Sequence, residues 1–227
     1  MWLKMMIRAS VVVWGASCAV AQDGAWAVPA NGGQAIGTIE RAGKPHCRAT
    51  LVSDRLVLTA AHCVQDPQGQ GPLGSGTVVF EGGPSVAWEE AALVPGFRYE
   101  SYDAAPLSVL SQDVAVLRLS EAVSIAPINV YRLDPGPGAH VVLDAGGGRW
   151  EVCATRGVKG SPTLFWVGCD RAPGFSGSPV LWVDGDSLHT VGVVLAQSDR
   201  GGLFAHRVEP ILPQLSWARA PQGKNHP

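Results

Sequence analysis

The chain has 227 residues, room for one all-β domain or two smaller units and enough to bury a substantial core. Its 17 Lys and Arg stand against 19 Asp and Glu with no basic stripe or acidic tail, which leaves no electrostatic case for nucleic acid or membrane lipid as a partner. The 28 Gly and 17 Pro are dispersed among apolar runs, so the composition is turn-rich rather than disordered.

Residues 1–21 read as an export signal. Lys4 and Arg8 give a basic start, Val11-Val12-Val13-Trp14 begin a short apolar core, and Ala19-Val20-Ala21 supplies the small-x-small cleavage pattern before Gln22. A lipoprotein cysteine at Cys18 is the competing reading, but Gly15 stands where the bacterial lipobox usually has Leu. The apolar stretch is too short for an ordinary spanning helix, and no other segment reads as one. The expected location is therefore the periplasm or the external medium. Residues 22–34 are small and polar and read as a loose arm or a short pro-segment. Of the five cysteines, removal of Cys18 leaves Cys47, Cys63, Cys153 and Cys169, which allow three pairings. Free thiols or a metal site are the alternatives, but no Cys-x-x-Cys spacing supports metal, and export favours disulfides.

Short runs rich in Val, Leu and Trp, punctuated by Gly, Pro or Asp, predict strands near 35–39, 49–52, 56–59, 77–80, 87–93 and 114–119. A second series lies near 139–143, 150–154, 163–168, 179–183, 191–195 and 203–208. The segments 64–76 and 95–112 read as surface loops with no assigned function. Residues 120–138 link the two series and end in Asp134-Pro135-Gly136-Pro137-Gly138, which cannot continue a central strand. Residues 209–218 suggest a short terminal helix weakened by Pro213. Many short strands with frequent turns point to a β-sandwich or barrel. The boundaries expected are 35–125 for a first unit, 126–218 for a second, and 219–227 for a flexible tail.

Three segments carry chemistry. Leu58-Thr59-Ala60-Ala61-His62-Cys63 holds a histidine beside a cysteine at a strand end, and Asp113 heads the run Val114-Ala115-Val116-Leu117. Ser176 is boxed by small residues in Gly174-Phe175-Ser176-Gly177-Ser178-Pro179. A serine hydroxyl needs a nearby base to take its proton, and a histidine, with an unperturbed pKa of ~6.5, suits that task. A carboxylate on the other ring nitrogen fixes the tautomer and stabilises the imidazolium. Alone, a Gly-x-Ser-x-Ser occurs in ordinary turns, and Asp113 reads as a strand cap. The order His, Asp, Ser, with Cys47 upstream, makes coincidence a poor account.

Together these segments resemble the trypsin/chymotrypsin-like serine peptidases, whose chain order this is. The ending Ser176-Gly177-Ser178-Pro179 resembles their bacterial, V8-like branch. The resemblance covers roughly 35–210 and is sharp at those three places. It implies an all-β fold of two six-stranded antiparallel barrels with the site between them, His62 and Asp113 on the first and Ser176 on the second. It further implies His62 as general base, Asp113 as orienting carboxylate, Ser176 as nucleophile, and the N–H groups of Gly174 and Ser176 as an oxyanion hole. Cys47 then pairs with Cys63, which leaves Cys153 to Cys169. The expected protein is a monomeric serine endopeptidase acting on polypeptide, without metal or cofactor. A non-catalytic binding protein on the same scaffold is the rival, although such homologues usually lack a triad member and this chain retains all three.

Specificity is divided. Asp170 lies six residues before Ser176, the place of the acidic pocket base in trypsins, which implies Arg or Lys selectivity; Asp170 also reads as a structural carboxylate paired with Arg171 or with backbone amides. Arg171, pointing inward, favours acidic side chains instead, although Arg171 and Val194 occupy the threonine and histidine positions of V8-type Glu selectivity. Leu195, Ala196 and Gln197 stand where animal enzymes carry Ser-Trp-Gly, with Gln197 narrowing the pocket. His206 reads as a surface or packing residue near the far wall. Phe175 occupies the place of the aspartate that animal trypsins use for activation, so no trypsinogen-type switch is expected.

Overall fold

The computed structural model describes residue 28 and residues 32–66, 72–99, 106–146, 148–169, 175–199 and 201–209. Six strands make the first barrel: β1 (Ile36–Arg41), β2 (Lys44–Leu51), β3 (Leu56–Thr59), β4 (Gly76–Phe80), β5 (Ser85–Leu93) and β6 (Ala115–Leu119). They close in the order β1-β2-β3-β6-β5-β4, every neighbour antiparallel. The second unit contains β7 (Asn129–Val130), β8 (His140–Gly146), β9 (Arg149–Gly157), β10 (Leu164–Val167), β11 (Pro179–Asp184), β12 (Ser187–Gln197) and β13 (Leu203–Arg207). Six of these run β11-β8-β9-β10-β13-β12 and close through β11–β12, giving a second six-stranded antiparallel barrel. Closure removes the unpaired sheet edge that an open sheet exposes to other chains.

Alternation of side chains drives this arrangement. Along β5, Val86 and Trp88 are buried while Ser85, Ala87 and Glu89 face out. The Trp88 ring lies over Gly76, where a Cβ would come within 2.0 Å of the ring, so only glycine admits it. Burial of such a side chain stabilises the fold by about 1.5–3 kcal/mol. One apolar cluster runs from the first barrel into the second through Val142, Leu164, Leu181, Val193, Leu195 and Val208. A smaller cluster, with Val141, Phe165, Val191 and Leu203, fills the rest of the second barrel. The two barrels are therefore packed through shared apolar contacts.

All twelve expected strands are present, but several ladders outrun their apolar runs. β9 and β12 extend beyond 150–154 and 191–195 because hairpin pairing continues where the side chains have left the core. The interdomain link contains β7, which pairs in parallel with β12 through His189 and Thr190. Residues 32–34, expected in a loose arm, form with Ala35 a 3-10 turn in which Gly32 and Ala35 are buried. Among the described residues of 95–112 there is one helical turn, α1 (Leu107–Leu110), entered from Pro106. Expectations for residues 1–27, 210–218 and 219–227 lie outside the described residues. Among the described residues no helix is long and apolar enough to cross a membrane.

Candidate active site

β3 ends at Thr59 and the chain turns into a 3-10 segment, Ala61–Cys63, that carries His62. Ala60 and Ala61 are fully buried, and their small side chains allow this turn to sink into the wall of the barrel. Across the barrel, α1 leads into Asp113, whose N–H donates to the Leu110 carbonyl at 3.2 Å, just before β6 begins. Asp113 is 1% exposed and grips His62 twice. Its Oδ1 accepts the His62 backbone N–H at 2.9 Å, and its Oδ2 lies 2.6 Å from Nδ1. An ionised carboxylate is an acceptor only, so Nδ1 carries the proton and the neutral ring keeps its lone pair on Nε2. One carboxylate thus holds both the backbone and the tautomer of this histidine.

Ser176 lies in a turn tied to both barrels. Its carbonyl accepts the Arg48 N–H of β2 at 2.7 Å. On the other side, the Gly177 N–H donates to the Val194 carbonyl at 2.7 Å, and the Val194 N–H to the Ser178 carbonyl at 2.9 Å. Gly177 has φ +83°, and a Cβ there would meet the Arg48 carbonyl oxygen at 2.0 Å and Thr59 Oγ1 at 2.4 Å. Glycine is therefore needed for both conformation and space. The Ser176 hydroxyl donates to the Leu195 carbonyl at 3.0 Å.

That carbonyl is available because of a local irregularity. Val194 opposes Ala205 and Ala196 opposes Phe204, so Leu195 is the extra residue of a bulge in the β12–β13 ladder. The Leu195 side chain is buried in the core, so it is the backbone of this residue, and not a pocket-lining side chain, that meets Ser176. Gln197 is exposed at the end of β12, opposite Leu203. Asp170, Arg171 and Gly174 lie outside the described residues.

Several neighbours carried no signal in the sequence. The Tyr99 ring stands 5.3 Å from the His62 ring, and its N–H donates to Gln65 Oε1 at 3.0 Å. Tyr99 falls in a loop with no regular pattern, so only the fold reveals it as a wall of the site. His46 precedes Cys47 on β2; partial burial, then the charges of Arg41 and His62, hold its imidazole below the usual histidine value. His206 on β13 is 2% exposed, which corrects the option of a surface residue. Its Nε2 lies 3.0 Å from the Ser111 carbonyl, and its Nδ1 faces the carbonyl of Arg207.

Burial pushes the His206 pKa down, against the upward pull of those two carbonyls and of the Asp113 charge. The sign for stability follows. As pH falls through the unfolded histidine value of ~6.5, the unfolded chain gains a proton that the folded protein takes up only at lower pH. This contribution is complete above that value and is lost on acidification. His206→Gln is expected to lose less of its urea midpoint than the parent between about pH 7.5 and 5.5; equal losses would count against this account.

Cys47 is joined to Cys63 and Cys153 to Cys169, each across 16 residues. Loops of this length give about 3 kcal/mol in the chain-entropy account. The first bridge ties β2 to the His62 turn. Among the described residues, the groupings of His, Cys and acidic atoms close enough for a metal are Cys47-His62-Cys63 and Glu151-Cys153-Cys169. In both, the sulfurs are committed to disulfides and offer no thiolate.

A protein-family model described as Trypsin matches residues 12–154, a span that holds His62 and Asp113 and stops before Ser176. Complement C2 of Bos taurus is 32% identical over 92 residues, covering 39% of this chain and 12% of that protein. The chain thus spans a small fraction of that relative's length.

Proposed function

This chain belongs to the trypsin family, and from that premise we propose that it is an exported serine endopeptidase acting through Ser176, His62 and Asp113. The observation that carries the proposal is the double grip of Asp113 on His62, which leaves Nε2 as the proton-accepting nitrogen. In the first step the Ser176 hydroxyl turns from the Leu195 carbonyl and attacks the scissile carbonyl carbon, while its proton passes to His62 Nε2. The oxyanion is received by the N–H groups of Ser176 and Gly174. Nε2 then gives the proton to the departing amine, leaving an acyl ester on Ser176. Water, deprotonated by the same nitrogen, releases the acid and restores the serine.

Two finer readings accompany this. The Ser-Gly-Ser-Pro ending and Phe175 in place of an acidic residue support membership of a bacterial, V8-like branch and a site that needs no amine-to-carboxylate activation pair. The two disulfides support an oxidising compartment, in line with the signal-like residues 1–21. For the P1 side chain we propose Arg or Lys, held by Asp170. Profiling cleavage of a mixed peptide pool with the parent, Asp170→Ser and Arg171→Ala tests this. A basic preference lost only in Asp170→Ser is expected; an acidic preference lost in Arg171→Ala would replace it with the Glu-directed reading.

The reaction itself is tested with an organophosphonate fluoride. Labelling of the oxidised protein at Ser176, abolished in His62→Ala, is the expected result. A folded, oxidised parent that takes up no label would leave a binding protein on a peptidase scaffold.

A further inference from the structure

Resting on the reading of Ser176 as nucleophile, we propose that Arg48 is a positioning residue, an ionic strap between the barrels that sets where Ser176 sits relative to His62. Arg48 follows Cys47 on β2, and its backbone lies directly under the nucleophile turn. Its N–H donates to the Ser176 carbonyl at 2.7 Å, and its own carbonyl accepts Thr59 Oγ1 at 2.8 Å, three residues before His62. The guanidinium then reaches across to the second barrel. One terminal nitrogen binds Glu81 Oε1 at 2.7 Å and also Asp144 Oδ2; the other donates to Thr38 Oγ1 at 3.2 Å.

The partners differ in a way that matters. Thr38 and Glu81 belong to the first barrel and hold the guanidinium in place. Asp144 lies on β8 of the second barrel, is 2% exposed, and uses its other oxygen to accept the Gly146 N–H at 2.7 Å. A buried carboxylate so fixed offers a directional contact, because a planar guanidinium satisfies it only in a narrow geometry. Arg48 is therefore joined to the second barrel at two points, by its side chain at Asp144 and by its backbone at Ser176. Loosening the first lets β2 and the second barrel shift relative to each other, and the Ser176 carbonyl shifts with them. His62 and Ser176 come from different barrels, and displacements of about 1 Å in such a pair can lower turnover about 100-fold.

A merely structural ion pair would stabilise the fold without affecting the chemistry per molecule, and this contrast supplies the test. Full-length oxidised parent, Arg48→Met, Asp144→Asn and the double variant are titrated with the organophosphonate fluoride, and kcat and KM are expressed per labelled site. Each single change is expected to lower kcat and the labelling rate about 10- to 100-fold with KM within about twofold. The double variant should be no worse than the poorer single, because the pair acts as one unit. Unchanged kcat per site in folded variants, or additive losses, would overturn the proposal. If Arg48→Met does not fold, Arg48→Lys decides by the same readout, since a single ammonium cannot hold Thr38, Glu81 and Asp144 together. Amide hydrogen exchange at position 48 reads the strap without turnover. At least about tenfold faster exchange in Asp144→Asn is expected, and unchanged protection counts against the strap. A parent that is not labelled at Ser176 fails the peptidase reading instead, and the exchange result then still judges the strap.

Discussion

Ser176→Ala is expected to lower kcat for peptide hydrolysis by about 10⁶-fold, leaving the protein folded and its two disulfides intact. The magnitude is that of serine-nucleophile removal in another peptidase class, where the residual rate reflects binding and oxyanion stabilisation alone. The physical reason is that no other group can form the ester. The Ser176 hydroxyl is half-buried in a turn whose backbone is bonded to both barrels, so its loss removes the acyl acceptor without disturbing the turn. Asp113→Asn should be milder, about 10⁴-fold, the loss that this change produces in triad peptidases of the same family. Asparagine can keep a contact to the His62 backbone N–H but presents the ring with the wrong hydrogen-bonding pattern. Because these residues act as one unit, the double variant should fall no further than Ser176→Ala. Steady-state kinetics with a peptide pool and active-site titration check both figures; a Ser176→Ala protein retaining a tenth of the parent rate would sink the assignment.

Gly177→Ala should be the most damaging single methyl in the chain. The residue sits at φ +83°, and the added carbon would lie 2.0 Å from the Arg48 carbonyl oxygen and 2.4 Å from Thr59 Oγ1. Neither neighbour can yield cheaply. The carbonyl belongs to β2 and accepts the Thr59 hydroxyl, and Thr59 is the last residue before the His62 turn. Left-handed strain and a backbone collision together should cost about 3–5 kcal/mol, or roughly 10 °C in Tm for a chain of this size. Urea and thermal unfolding of the oxidised protein measure it. A loss below about 1 kcal/mol would mean that the turn can re-form elsewhere, and the account of Ser176 as rigidly mounted would fall with it.

Much of the fold was legible because its signals are local. Alternating Val, Leu and Trp bounded by Gly and Pro mark strands whether or not their partners are known, and each of the twelve expected runs lies in or overlaps a strand. Local signals also explain what was missed. β7 is two residues long, and its pairing with β12 depends on His189 and Thr190, some sixty positions away. The one-turn helix before Asp113 is too short for a periodicity to register. Leu195 looked like a pocket side chain in the sequence, but a bulge in β12 turns its carbonyl to Ser176 and its side chain to the core.

By itself the sequence determined the kind of protein and its candidate chemistry. Thr59 to Cys63, Asp113 and the box around Ser176 are short motifs whose residue types follow from what a serine nucleophile, its base and a tight turn require. What only the tertiary structure decided is how those segments meet. Asp113 grips His62 from 51 residues away, Tyr99 walls the ring, His206 is drawn from an expected packing or surface role to the carbonyl of Ser111, and Arg48 spans from Thr38 to Asp144. These contacts join residues distant in sequence, between strands brought together by barrel closure. No window of sequence contains both partners, so their geometry could be read only once the barrels had closed.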